Sequence, residues 1–136
     1  MKIYSPQIRV NRPIEKIFEL SGNCQNFAHL LSDHAKDITT YQDTCSFTIE
    51  NIAKITLKIL EANPFTTIHF EAENDKNIPL FIQLNYTKIS ENETDIVADM
   101  DIDLPIFLKP VLQTPLQRFI NTISEKIKTE AEKPGL

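Results

Sequence analysis

Between residues 45 and 103 apolar and polar residues alternate with a period of two, the spacing that sends successive side chains to opposite faces of a strand. Residues 94–103 are the plainest case, with Ile96, Ala98, Met100 and Ile102 against Asp95, Asp99, Asp101 and Asp103. Residues 80–90 set Ile82, Leu84 and Tyr86 against Gln83, Asn85 and Thr87, and residues 66–73 set Ile68, Phe70 and Ala72 against Thr67, His69 and Glu71. In residues 54–61, Ile55, Leu57 and Ile59 oppose Thr56 and Lys58. Residues 37–42 and 45–50 predict a hairpin around Asp43-Thr44, with Cys45, Phe47 and Ile49 on one face. Asn63-Pro64, residues 74–77 and residues 91–93 supply turns.

Outside this block the period changes. Residues 2–11 form one loosely alternating strand, Tyr4, Ile8 and Val10 against Ser5, Gln7 and Arg9. Pro13 then opens a short helix with Ile14, Ile17 and Phe18 on one face, and Gly22 ends it. A second short helix follows, capped by Asn23 and burying Phe27, Leu30 and Leu31, with Ser32-Asp33-His34 closing it. Near the C-terminus, Leu112, Leu116, Phe119, Ile120, Ile123 and Ile127 share an arc roughly 120° wide at about 100° per residue. Gln117, Asn121, Ser124, Glu125 and Lys128 lie opposite. This long helix is expected to start with Thr114 as N-cap, Pro115 at the first helical position and Gln117 as capping-box partner. Residues 104–113, apolar with two prolines, read as a short helical lead-in with a kink or break near Pro115. The tail Lys133-Pro134-Gly135-Leu136 is expected to fray.

Short turns and one polar face predict an antiparallel sheet that is wet on one side. The only element long enough to cover its apolar face is the C-terminal helix. The predicted class is therefore α+β: a curved antiparallel sheet of about seven strands, two short helices after the first strand, and the sheet wrapped around a long C-terminal helix. Residues 1–136 fit a single domain.

Composition narrows function mainly by exclusion. A net charge of −5 without a Lys/Arg run argues against a nucleic-acid surface. Only two glycines occur, Gly22 and Gly135, so a phosphate-cradling Gly-rich loop is excluded and turns must rely on Asn, Asp and Pro. No stretch approaches the length of a membrane span and no secretion signal is visible, which makes a cytoplasmic location with reduced thiols the expectation. Cys24 and Cys45 lack metal or redox spacing, and Cys45 reads as a buried structural thiol.

Candidate chemistry is sparse. His29 and Asp33 are spaced i, i+4, but His34 points elsewhere on a helix, so these read as solvent-facing or helix-end residues. His69 faces outward. The Asp99-x-Asp101-x-Asp103 row fails as a calcium loop, because Leu104 and Pro110 stand where Gly and Glu are required; it reads as a solvated strand face. Tyr86 is the one polar group of note on the inner face. Its hydroxyl needs a partner, either a protein atom or the oxygen of a ligand.

Strand, two short helices, six-strand meander and long terminal helix is an order that resembles the helix-grip fold of the START/Bet v 1-like superfamily, also called SRPBCC or polyketide cyclase/dehydrase-like. Val10-Asn-Arg-Pro-Ile-Glu-Lys-Ile-Phe-Glu-Leu20 is similar to that group's passage from first strand to first helix, and Leu116-Gln-Arg-Phe-Ile-Asn121 to its terminal helix. Where the plant allergen branch has a Gly-rich loop, this chain has Gln42-Asp43-Thr44-Cys45. The resemblance implies an apolar cavity between sheet and helix that holds a small hydrophobic molecule; no cofactor or metal is expected, and the chain is expected to be a monomer or homodimer. Its walls would be Phe47, Leu57, Ile59, Ile68, Phe70, Leu84, Tyr86, Ala98, Met100, Leu112, Leu116, Phe119, Ile120 and Ile123. Binding without catalysis is the first expectation. A cyclase/dehydrase-type enzyme is the alternative, against which stands the lack of Asp, Glu or His on the inward faces. An interaction module using a sheet edge or the Asp99–Asp103 row is the third.

Overall fold

A computed structural model of the chain describes residues 1–134; residues 135–136, part of the tail expected to fray, lie outside the described residues. The strands are β1 (Lys2–Tyr4), β2 (Ile8–Val10), β3 (Lys36–Tyr41), β4 (Thr44–Ile49), β5 (Ala53–Asn63), β6 (Thr67–Asn74), β7 (Leu80–Ser90) and β8 (Glu93–Ile102). The helices are α1 (Ile14–Ser21), α2 (Cys24–Leu30) and α3 (Lys109–Ala131), the last preceded by a 3-10 turn, Ile106–Leu108. All strand pairings are antiparallel, in the order β1-β8-β7-β6-β5-β4-β3, with β2 also on β8. The architecture is the predicted α+β one, a curved sheet with a long terminal helix against its apolar face.

The sheet has eight strands, because the first predicted strand is split. Pro6 has no N–H for the ladder, and Ser5 uses its side chain beside it. The Ser5 N–H donates to the Ala98 carbonyl at 2.8 Å, and the Ser5 hydroxyl accepts from the Ala98 N–H at 2.8 Å. This turns Ser5 and Ile3 inward and leaves Tyr4 56% exposed, opposite to the expected phase. Val10 remains buried beyond the break.

The β3–β4 turn is Gln42-Asp43, one residue earlier than expected, since Tyr41 pairs with Thr44. The scarcity of glycine shows in the backbone. Asp37, Gln42, Asn51, Phe65 and Asn77 adopt φ between 52° and 68°, where L-residues are uncommon and Asn and Asp tolerate best. Gly22 serves a different need. At this position a Cβ would stand 2.8 Å from the Phe18 carbonyl oxygen, so α1 can turn into α2 only with a residue lacking one. Asn23 caps α2 as expected, its Oδ1 accepting from the Gln25 and Asn26 N–H groups at 2.9 and 3.2 Å.

α3 begins at Lys109, earlier than the expected Thr114 cap, and runs unbroken through Pro115. Pro110 lies in the first turn, where no N–H is needed. Pro115 leaves the Val111 carbonyl without its i+4 donor, a fault costing roughly 3 kcal/mol, which burial of Leu112 and Leu116 on either side offsets. Gln117 closes no capping box; its Nε2 donates to the Tyr4 carbonyl at 2.8 Å and to Asn121 Oδ1 at 2.9 Å.

The outer face is less wet than its sequence suggests. Asp95 and Asp99 are each only 6% exposed. Asp95 accepts from Arg9 Nε and Nη2 and from Gln7 Nε2, and the Arg9 hydrogen bond holds its carboxyl below the usual carboxylate range. Asp99 accepts from Asn85 Nδ2 at 2.8 Å and lies 4.0 Å from Lys2 Nζ. Lys2, Gln7, Arg9 and Asn85 thus cover Asp95 and Asp99, so of the row expected to be solvated only Asp101 and Asp103 stay exposed.

Candidate functional site: the concave face and its mouth

Strand alternation and the α3 stripe bring the predicted wall residues onto facing surfaces. Phe47, Leu57, Ile68, Phe70, Leu84, Tyr86, Ala98, Met100, Leu112, Leu116, Phe119, Ile120 and Ile123 are buried together, and Ile59 is half-buried beside the β5 irregularity that follows it. Aromatic pairs tie the layers together. Phe27 of α2 meets Phe70 at 5.0 Å between ring centroids, and Phe47 meets Phe119 of α3 at 6.4 Å.

Polar groups on this face are few and each has a partner. The Ser21 hydroxyl donates to the Ile17 carbonyl at 2.7 Å, so toward Tyr86 it can only accept, and the Tyr86 hydroxyl is the donor of the Tyr86–Ser21 bond. Of the two partners open to Tyr86, the protein atom is the one it has. Burial pushes its ionisation well above the ordinary tyrosine range. Phe18 packs on Tyr86 at 5.6 Å and on Phe65 at 5.7 Å, closing this end of the layer. The buried carboxylates, Asp95 and Asp99, belong to the opposite face.

The two cysteines meet, which their spacing did not reveal. Cys24 Sγ lies 3.7 Å from the Leu57 carbonyl, and Cys45 is the cross-strand neighbour of Leu57. The neighbouring Cys24 thiol and burial push the Cys45 thiol strongly upward. Both are free and buried, inert in place.

Between α3 and the β4–β5 turn lies a surface cavity of about 220 Å³. Its apolar floor is Ile49, Ile52, Pro115 and Phe119, and its rim is His34, Glu50, Asn51, Arg118 and Thr122. Of these only Phe119 was singled out as a wall residue. Residues 115, 118, 119 and 122 fall at i, i+3, i+4 and i+7, one face of α3, a spacing present in the sequence. That the β4–β5 turn would sit opposite was not. His34, exposed as expected, is at this rim. His29 is exposed, and Asp33 pairs with Lys126 at 2.9 Å. His69 is half-buried, edge-on to Phe81 at 6.0 Å, on the outer face. Among the described residues no cluster of three or more His, Cys, Asp or Glu could hold a metal ion, and no helix is long and apolar enough to cross a membrane.

No model of a known protein family matches the chain, and no curated protein matches it in sequence. Solved structures do match. A truncated norcoclaurine synthase from Thalictrum flavum superposes with a TM-score of 0.79 at 10% identity, over 98% of this chain and 94% of that one. A protein of Thermus thermophilus gives 0.76 at 11% identity, over 96% and 97%. The Zhui aromatase/cyclase from Streptomyces sp. R1128 gives 0.73 at 8% identity, over 99% and 98%. At such identities the likeness establishes the fold alone, the helix-grip arrangement of a curved antiparallel sheet around a long terminal helix.

Proposed function

We propose that this chain binds a small, largely hydrophobic molecule between the sheet and α3, without chemistry, as a cytoplasmic protein. The observation that carries this reading is the mouth. A floor of Ile49, Ile52 and Phe119 lines it, Phe119 belongs equally to the buried layer under α3, and the aliphatic and aromatic residues of that layer would offer apolar surface to a guest that parted them. Proteins of the same architecture are named as a synthase and an aromatase/cyclase, and a norcoclaurine synthase variant of this fold is in complex with a transition-state analogue.

The mouth alone is small. At about 220 Å³ it falls short of the 300 Å³ or more typical of ligand pockets, so a guest must displace protein. The segment able to yield is the 3-10 turn and the first turns of α3, where Ile106, Phe107 and Val111 are 80%, 75% and 66% exposed and Pro115 interrupts the hydrogen-bond ladder. Burying about 300 Å² of apolar ligand surface contributes roughly 7 kcal/mol before the costs of association and opening. Binding without catalysis is supported by the inner face's polar inventory, hydroxyls already bonded within the protein, whereas acid–base chemistry needs a group able to exchange a proton near neutral pH.

The test is thermal unfolding of the full chain with a panel of fatty acids, sterols and aromatic polyketides. A ligand raises Tm in proportion to the logarithm of its concentration. A flat Tm across the whole panel overturns the reading.

A further inference from the structure

The rim carries a chemical bias that the floor does not. Arg118 and Thr122 project one turn apart from α3, facing Asn51 of the β4–β5 turn and His34 beyond α2. Among the described residues, none of these four side chains has a hydrogen-bond partner or an ion pair. A guanidinium has five N–H donors and no acceptor, and the Thr122 hydroxyl, Asn51 amide and His34 imidazole can each add a donor. The one acid at the rim, Glu50, stands 3.7 Å from Lys36 Nζ. Arg118 and Lys36 against Glu50 leave one positive charge here, on a chain whose net charge is −5.

Resting on the binding reading above, we propose that the mouth selects an amphipathic carboxylic acid, its carboxylate held at Arg118 and Thr122 and its apolar body passing Phe119 under α3. The alternatives fit worse. A cationic headgroup would find a single carboxylate already paired with Lys36. A neutral one leaves the guanidinium charge unused. A phosphate dianion would bring a second negative charge up to Glu50 with only one arginine to balance it. A carboxylate matches the planar fork of one guanidinium, which can donate two parallel bonds to it.

Dodecanoate and dodecanol, which share a chain and differ in headgroup, separate this proposal from the reading beneath it. By calorimetry on the full chain, dodecanoate binds at least about tenfold tighter than dodecanol. The preference shrinks as salt is raised, as expected of a partly exposed charge. R118Q brings dodecanoate down to the dodecanol level and Arg118→Lys restores part of the difference, both variants melting with the parent protein because Arg118 is exposed. Equal binding of the two probes, or a preference that survives R118Q, overturns the carboxylate assignment and leaves apolar binding standing. If neither probe binds, nor any member of the wider panel, the binding reading itself fails and the assignment with it.

Discussion

The two halves of α3 are built differently. Its second half buries Phe119, Ile120, Ile123, Ser124, Ile127 and Ala131 and is tied down by charge. Lys128 Nζ donates to the Arg9 carbonyl at 2.7 Å and to Glu132 at 2.8 Å, and Lys126 pairs with Asp33 at 2.9 Å. Its first half, from Lys109 to Arg118, buries only Leu112 and Leu116, exposes Val111 and contains Pro110 and Pro115. Its tether across to the sheet is the Gln117–Tyr4 hydrogen bond. One helix thus combines an anchored second half with a loosely held first half, and the cavity mouth lies where the two meet, at Pro115, Arg118, Phe119 and Thr122. Stability and access are divided along its length, since an element opens where it buries least and has the fewest hydrogen bonds.

The largest test of that contrast is a pair of truncations. Ile123→Ala, in the anchored half, is expected to lose about 2–5 kcal/mol of unfolding free energy in urea melts, whereas Val111→Ala, in the loose half, stays within about 0.5 kcal/mol. Comparable losses would mean the halves are equally part of the core. Next in size is the closed end. Ser21→Ala leaves the Tyr86 hydroxyl buried without a partner and should cost about 1–3 kcal/mol, while Tyr86→Phe removes the donor itself and should cost less, about 1 kcal/mol. The reverse order would contradict the donor assignment. The smallest effect is local. Amide exchange should be faster in residues 110–118 than in residues 119–131, and Pro115→Ala, by restoring a donor for the Val111 carbonyl, should slow exchange in the first half alone. Uniform protection along α3 would remove the basis for a movable end.

Much of the architecture could be read from periodicity, because burial of one face imposes a repeat that local sequence displays. Ile96, Ala98, Met100 and Ile102 face inward as their alternation requires, and Leu112, Leu116, Phe119, Ile120, Ile123 and Ile127 form the buried stripe of α3. Asn23 caps α2 for the equally local reason that its side chain reaches two nearby N–H groups. Errors arose where a distant partner decided. The phase of the first strand depends on the Ser5–Ala98 pairing across the sheet. The start of α3 depends on packing that outweighs a proline fault, and the dryness of Asp95 depends on Arg9 of β2 and Gln7 just before it.

The candidate site divides along the same line. The residues expected to line it were legible one by one as inward-facing positions, and so was the need of Tyr86 for a partner. That the partner is Ser21, that Cys24 lies against the Cys45–Leu57 pair, and that Arg118 and Thr122 share a rim with Asn51 and His34 are matters of tertiary structure. By itself the sequence determined which residues lie inside and the class of fold that hides them, since hydrophobic periodicity is set within a few residues along the chain. Which polar groups meet, and where the layer opens, only the folded chain decided, because those contacts join segments that no local repeat relates.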